Sequence, residues 1–381
     1  RGLGDVYKRQ APDDVVRKAF VEAELSPAIM ETLWQLLERM PYALAIRSSS
    51  LLEDSQFEPF AGVYETYMLA NSHPNPERRL DDLCAAIKLV YASTFSEKAR
   101  SYLESTPLRP EKEKMAVMVQ KLIGRPHDGR FYPSFSGVAQ SYNYYPFGRV
   151  EPDDGAAVVA LGLGHYVVEG RGGLRFCPKY PRHLPQLSTV EDTLRITQKK
   201  FDALALDPDD GGGDPHDRFQ PQQHDIDVAL QDGMLDPIAS IYDRESHAIY
   251  DGTARRGVPL ITFAGVLKQR LLPLPELLCD LLEVGVRGTM TPVEIEFAVD
   301  FDPEPDAPAI FACLQMRPLT ITRDLARIDL DTIDEQGVLC RSARALGHGR
   351  TKGVQDVVYV DPEQFDRRDS VTTADAVARL N

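Results

Sequence analysis

The sequence predicts an α+β chain, on three observations. Apolar runs of strand length recur along it, at Tyr42–Ser50, Glu113–Ile123 and Val258–Leu267. Between them apolar residues return at helical spacing, in Ala11–Met40, Pro76–Leu103 and Pro273–Val286. Within Thr291–Thr320, two apolar runs flank the acidic turn Asp300–Pro308 and read as a closing antiparallel pair.

Composition narrows the function. The chain has 381 residues, enough for two or three packed units, and is 43% hydrophobic and 27% charged, ordinary for a globular protein. A net charge of −15 argues against nucleic acid or an anionic membrane as partner, while leaving room for a local basic site for phosphates. No apolar run approaches the length of a membrane span, and no signal peptide is visible. Five scattered cysteines without a CxxC pair fit reduced thiols and a cytoplasmic location. The chain opens on Arg1, and residues 1–10 (RGLGDVYKRQ) resemble a translated sequencing adapter, so they are set apart from the fold. A fragment of a longer protein is expected.

In chain order, Pro12-Asp13-Asp14 and Ser26-Pro27 start helices, the second with Ile29, Leu33, Leu36, Leu37 and Met40 toward the core. Tyr42–Ser50 is a strand running into Arg47 and three serines. An arginine at a strand end, near small hydroxyl residues and Gly62, can cradle phosphates, and a turn with a surface arginine reads the same way. Pro76–Leu103 is a helix with Leu80, Leu83, Cys84, Ile87, Val90 and Tyr91 as its apolar stripe. Glu113–Ile123 is a strand in which Met115 and Met118 read as core and Gln120 as a weak site candidate.

The tyrosines of Phe131–Pro146 read as a packed layer rather than a base-stacking platform. Gly162-Leu163-Gly164 follows a strand but lacks the third glycine of a dinucleotide fingerprint. Arg171–Leu206 carries a proline-rich extended connection. Residues 207–225, polar and glycine-rich, read as a mobile loop whose histidines and aspartates have no regular metal-ligand spacing. Ile321–Asn381 reads as turn, strand and helix, the start of a following domain or linker.

The closing pair carries the chemistry. Glu294 and Glu296 stand two apart and share one face of a strand, as do Gln315 and Arg317. Carboxylate and amide oxygens suit Mg²⁺, and a planar guanidinium suits a phosphate. An ordinary amphipathic hairpin with one solvated face has the same spacing.

Five blocks in order resemble one family. Arg47-Ser48-Ser49 with Glu53-Asp54, then Phe60-Ala61-Gly62 and Glu65-Thr66-Tyr67, resemble its R-S-S-A-x-x-E-D and F-A-G-x-x-E-T-Y. The stretch around Tyr91–Tyr102 resembles a packing signature, and the run through Gln120 resembles the strand leading to an adenine pocket. Ser136-Gly137-Val138 and Gly162-Leu163-Gly164 with Val167, Val168 and Gly170 follow. Glu294-Ile295-Glu296-Phe297-Ala298 and Leu314-Gln315-Met316-Arg317-Pro318 close the set. The family is that of phosphoenolpyruvate synthase and pyruvate phosphate dikinase, and the blocks resemble its N-terminal ATP-binding domain between about Pro41 and Pro318. One departure stands out: His165 occupies a position where the family usually has glutamate.

The resemblance implies an ATP-grasp fold over residues 11–320, with ATP between two lobes. It implies binding by Arg47, Gly62, Gln120, Glu294, Glu296, Gln315 and Arg317. Glu296 and Gln315 would hold Mg²⁺, with Glu294 directly or through water, and Arg47 and Arg317 would neutralise charge on the transferred phosphoryl group. The acceptor would be a histidine on a domain that this chain does not supply, and ultimately pyruvate. His348 lacks the threonine or serine of the family's T/S-H motif. The family's glycine- and lysine-rich phosphate loop is not seen either, so the chain by itself is expected to bind nucleotide weakly at best and to make no phosphoenolpyruvate. The alternatives are a non-catalytic or regulatory ATP-binding module, or a dikinase-like enzyme with another acceptor such as a glucan or an antibiotic.

Overall fold

Leucine and isoleucine alternate with smaller or polar residues along Leu44–Ser50, and in the computed structural model this stretch is strand β1. Helices α1 (Asp13–Glu22) and α2 (Pro27–Arg39) precede it; Ser26 caps α2, its hydroxyl accepting from the Ile29 amide. β1 pairs antiparallel with β2 (Tyr67–Leu69) and β3 (Met115–Lys121), which flank it on either side. Between β2 and β3 lie α3 (Pro76–Ser93) and α4 (Glu97–Glu104). Leu44 and Ile46 bury against Leu33, Leu37, Leu83 and Leu89 of the helices. By the two-residue period of a strand, Ala45 and Arg47 must then face the other way.

The structure describes residues 11–50, 62–104, 114–206, 214–302, 304, 307–319, 337–339, 356–361, 365–366 and 369–378. The residues before 11, with Glu53-Asp54, Phe60-Ala61, Cys340 and His348, lie outside these. Two units emerge, Arg1–Thr320 and Ile321–Asn381.

The first unit continues with short strands β4 (Arg125–His127) and β5 (Arg130–Tyr132), then β6 (Phe135–Gln140) and β7 (Ala156–Ala160). Helix α5 (His165–Val168), β8 (Leu174–Phe176), α6 (Val190–Ile196) and β9 (Lys200–Ala205) follow. Next come α7 (Pro215–Arg218), β10 (Gln222–Asp225), α8 (Ile226–Gln231), β11 (Ala239–Asp243), β12 (Ala248–Asp251) and β13 (Val258–Ile261). The unit closes with α9 (Ala264–Leu267), α10 (Leu274–Thr289), β14 (Val293–Asp300) and β15 (Ile310–Pro318). Three further sheets result, ordered β10-β9-β5-β4, β12-β11-β13 and β15-β14-β6-β7-β8. The five-stranded sheet is antiparallel throughout. Its core strands β6, β7 and β14 bury Phe135, Val159, Ile295 and Phe297 in the largest apolar cluster, onto which α10 packs Leu278 and Leu282. This mixture of helices and antiparallel sheets is the expected α+β class.

Several expectations give way to local physics. Pro76–Leu103 is two helices, because Ser96 starts the second by accepting from the Ala99 amide. Ile29 and Tyr91 lie at the edges of their apolar stripes and Met118 on the face of β3 opposite Val117 and Val119; they are 48%, 39% and 47% exposed, so they are not core. Arg171–Leu206 holds strands and a helix rather than one extended connection, with Thr189 capping α6. Of the expected mobile loop 207–225, residues 207–213 lie outside those described. The remainder is ordered by β10 pairing with β9 and by buried Phe219, whose carbonyl accepts from the Met68 amide. In the second unit Ser370–Ala378 is helix α11, while residues 356–360, expected as a strand, carry exposed side chains and no strand pairing.

Candidate functional site

A cleft of about 540 Å³ lies between β1 with its neighbours and the β14–β15 pair. Its lining comes from stretches far apart in the chain: Arg47 and Ser48, Gly62–Thr66, Gln120–Ile123, Ser136 and Gly137, Leu163–His165, Glu296–Ala298, and Leu314 with Gln315 and Arg317.

Register brings the polar groups together. In the β14–β15 ladder Glu294 is paired with Arg317 and Glu296 with Gln315. A β-bulge after Glu296 shifts the pairing so that Phe297 meets Cys313, and Leu314 becomes the extra residue. The Leu314 carbonyl then accepts from Gln120 Nε2 at 3.0 Å, tying β3 to β15. Arg47 reaches across from β1. Its Nη2 donates to Glu296 Oε2 at 2.7 Å and to Gln315 Oε1 at 2.5 Å. All three are mostly shielded from water, which strengthens charge-assisted bonds.

Glu294 is set back behind this group and buried. Arg317 donates to its Oε1, through Nε at 2.9 Å and also through Nη2, and Gln140 Nε2 donates to its Oε2 at 2.6 Å. Both oxygens are therefore engaged, and Glu294 orients Arg317 rather than facing the cleft. Arg47, Gly62, Gln120, Glu296, Gln315 and Arg317 line the cleft; Glu294 stands outside its lining.

Glycine is required where backbone must approach closely. A Cβ on Gly137 would sit 2.5 Å from Phe297 Cζ and 2.6 Å from the Val158 carbonyl oxygen. Gly162, at φ +87°, would place a Cβ 2.7 Å from the Asp202 carbonyl oxygen, and the turn it makes delivers His165 to the cleft wall. His165 is held at both ring nitrogens, by Asp202 Oδ2 at 2.8 Å and by Glu169 Oε1 at 2.9 Å. Arg171 bridges the same two carboxylates, and Asp202 is fully buried.

Two participants escaped the sequence reading. Lys98 lines the cleft from α4 and donates to the Gly62 carbonyl at 2.7 Å. Its signal was its place one residue before buried Ala99, off the apolar stripe of a block that reads as packing. Asp202 sits inside an apolar strand, and nothing in sequence ties it to His165, 37 residues away.

Among the described residues no group of three His, Cys, Asp or Glu side chains converges as a metal cage. Glu296 and Gln315 nevertheless present two oxygens side by side, a donor set that fits Mg²⁺ of the kind completed by water and substrate phosphates. No described helix is long and apolar enough to cross a membrane.

Residues 3–336 match the family described as the pyruvate phosphate dikinase AMP/ATP-binding domain. The chain is 22% identical over 328 residues to a phosphoenolpyruvate synthase from Aeropyrum pernix, covering 84% of this chain and 34% of that protein. It is 30% identical over 149 residues to an uncharacterized phosphotransferase, YvkC, from Bacillus subtilis, covering 39% of this chain and 15% of that one. The chain thus spans about a third or less of the length of these relatives.

Proposed function

The chain belongs to the pyruvate phosphate dikinase AMP/ATP-binding domain family, and from that premise we propose that the cleft binds Mg-ATP for phosphoryl transfer within an ATP-grasp architecture. The observation that carries the reading is the convergence of Arg47, Gly62, Gln120, Gly137, Glu296, Gln315 and Arg317 on one cleft, from blocks up to 270 residues apart.

Binding begins as an exchange of partners. Arg47 leaves Glu296 and Gln315 for the phosphates, so one charge-assisted contact replaces another. The two oxygens released are those that would hold Mg²⁺, which when bound would supply charge neutralisation to the phosphates. Arg317, locked by Glu294, which Gln140 holds in turn, presents a fixed positive charge where the transferred group gathers negative charge. Gln120 and the Leu314 carbonyl join the two sides of the cleft, and Met68 and Leu122 offer an apolar wall for a base. The Lys98 tie to Gly62 holds the glycine segment over the phosphates.

The acceptor is a histidine on another domain and ultimately pyruvate, or a different acceptor in a dikinase-like enzyme. A regulatory nucleotide-binding module is the second reading. It is favoured by His165, whose two nitrogens are both engaged where the family usually has a glutamate.

Calorimetry with Mg-ATP tests the proposal. The parent chain binds, and Glu296→Ala and Arg317→Ala each lose about 1.5 to 3 kcal/mol, roughly ten- to a hundredfold in affinity. A parent chain that binds no nucleotide, or variants that bind as well as the parent, would refute it.

A further inference from the structure

A second cavity, of about 320 Å³, lies between the segment that follows β2 and the end of β9. Among the described residues three guanidiniums line it, Arg78, Arg79 and Arg218, against one carboxylate, that of Asp82. Asp82 accepts from Arg218 Nη2 and sits 3.8 Å from Arg78 Nε. Even with His73 neutral, the described lining carries an excess of positive charge, in a chain whose net charge is −15. Arg79 makes no ion pair among the described residues, and its Nε and that of Arg218 are buried without hydrogen-bond partners. Burial pushes the Asp82 carboxyl up, against the pull of Arg218 and Arg78, so its charge is not cheaply held.

Helix electrostatics sharpen the anomaly. Arg78 and Arg79 are the third and fourth residues of the 18-residue helix α3, at the end where the macrodipole disfavours cations. Asp82 and the Phe219 ring account for Arg218, and Asp82 for Arg78; among the described residues Arg79 is the guanidinium left over. A concave, partly desolvated wall focuses the resulting field on a mobile anion.

We propose that this cavity is a second binding site, for a small phosphate-bearing molecule. A phosphate monoester carries close to two negative charges and can accept from several guanidinium donors at once, matching the excess better than a single carboxylate does. Leu204, Leu206 and Phe219 supply an apolar wall, and the volume exceeds that of phosphate alone, so the ligand has a compact, weakly polar body. The site is separate from the nucleotide cleft, although Met68 lines both.

The test is titration of the 381-residue chain with phenyl phosphate, with inorganic phosphate and benzoate as comparisons, read by calorimetry and by hydrogen exchange. Phenyl phosphate is expected to bind more tightly than either comparison and to protect residues 68–79 and 204–206. Arg79→Gln should weaken binding at least tenfold, Arg79→Lys less, and Arg47→Gln in the other cleft not at all. Should Arg79→Gln fail to fold, the protection pattern on the parent chain decides. No binding, protection confined to the nucleotide cleft, or loss in Arg47→Gln with retention in Arg79→Gln overturns the proposal. So does binding that emerges only when Asp207, Asp209 and Asp210, which follow Leu206 in the sequence, are changed to Asn, since the arginines would then serve the chain's own acidic run.

Discussion

The two cavities treat charge in opposite ways. In the larger cleft most of the buried charges come in matched sets, Arg47 with Glu296, Arg317 with Glu294, and His165 with Asp202 and Glu169, while Glu65, Lys98 and Lys121 line it without an ion pair among the described residues. In the smaller cavity three arginines and one aspartate stand among the described residues, and only Arg218 and Arg78 pair with that aspartate. A matched set is stable without ligand and gives up internal partners on binding, which favours specificity over raw affinity. An unmatched cluster already bears the cost of like charges and recovers it on meeting an anion.

The comparison breaks if removing a member of a matched set is harmless. Asp202→Ala should be the most damaging change, lowering stability by about 3 kcal/mol in urea denaturation, because a buried carboxylate serves both His165 and Arg171. Glu294→Ala should cost about 2 kcal/mol by the same measurement, since it strips bonds from Arg317 and Gln140. A loss below 0.5 kcal/mol for both would remove the distinction.

Histidines sharpen it through pH. His165 is held at both nitrogens, whereas His127 and His224 each bury Nε2 without a partner among the described residues. Burial lowers the pKa of both His127 and His224 below the usual 6.5. The unfolded chain then binds protons that the folded chain refuses. Stability from this source is full above 6.5 and declines as pH falls below it, until the folded-state values are passed. The urea midpoint should drop less between pH 7.5 and 5.5 in a His127→Gln/His224→Gln variant than in the parent; equal drops would assign the effect to other groups.

The smallest change has the opposite sign. Arg79→Gln should leave stability unchanged or raise it by about 0.5 kcal/mol without ligand, because it relieves like-charge repulsion and an unfavourable dipole contact. A clear loss in thermal denaturation would mean that Arg79 serves the fold.

Much of this was legible in the chain. Two-residue periodicity put Glu294 with Glu296, and Gln315 with Arg317, on shared faces, and the family blocks marked Arg47 and Gly62 as candidates. Those are local properties, set by backbone geometry and by short strings. Helix stripes were legible at their centres, as with Leu33 and Leu83, but not at their edges, where Ile29 and Tyr91 are exposed. What packs against a stripe is set by the neighbour, not by the stripe. The β14–β15 register was beyond periodicity, since a bulge after Glu296 decides that Gln315 rather than Leu314 faces it. So were the pairing of Arg47 with Glu296 across 249 residues, the hold of Asp202 on His165, and the gathering of Arg78 and Arg79 with Arg218. Sequence determined which side chains carry charge and which face of an element they occupy. Only the tertiary structure decided which charges meet, because ion pairs and cavities form between elements whose separation along the chain says nothing about their distance in space.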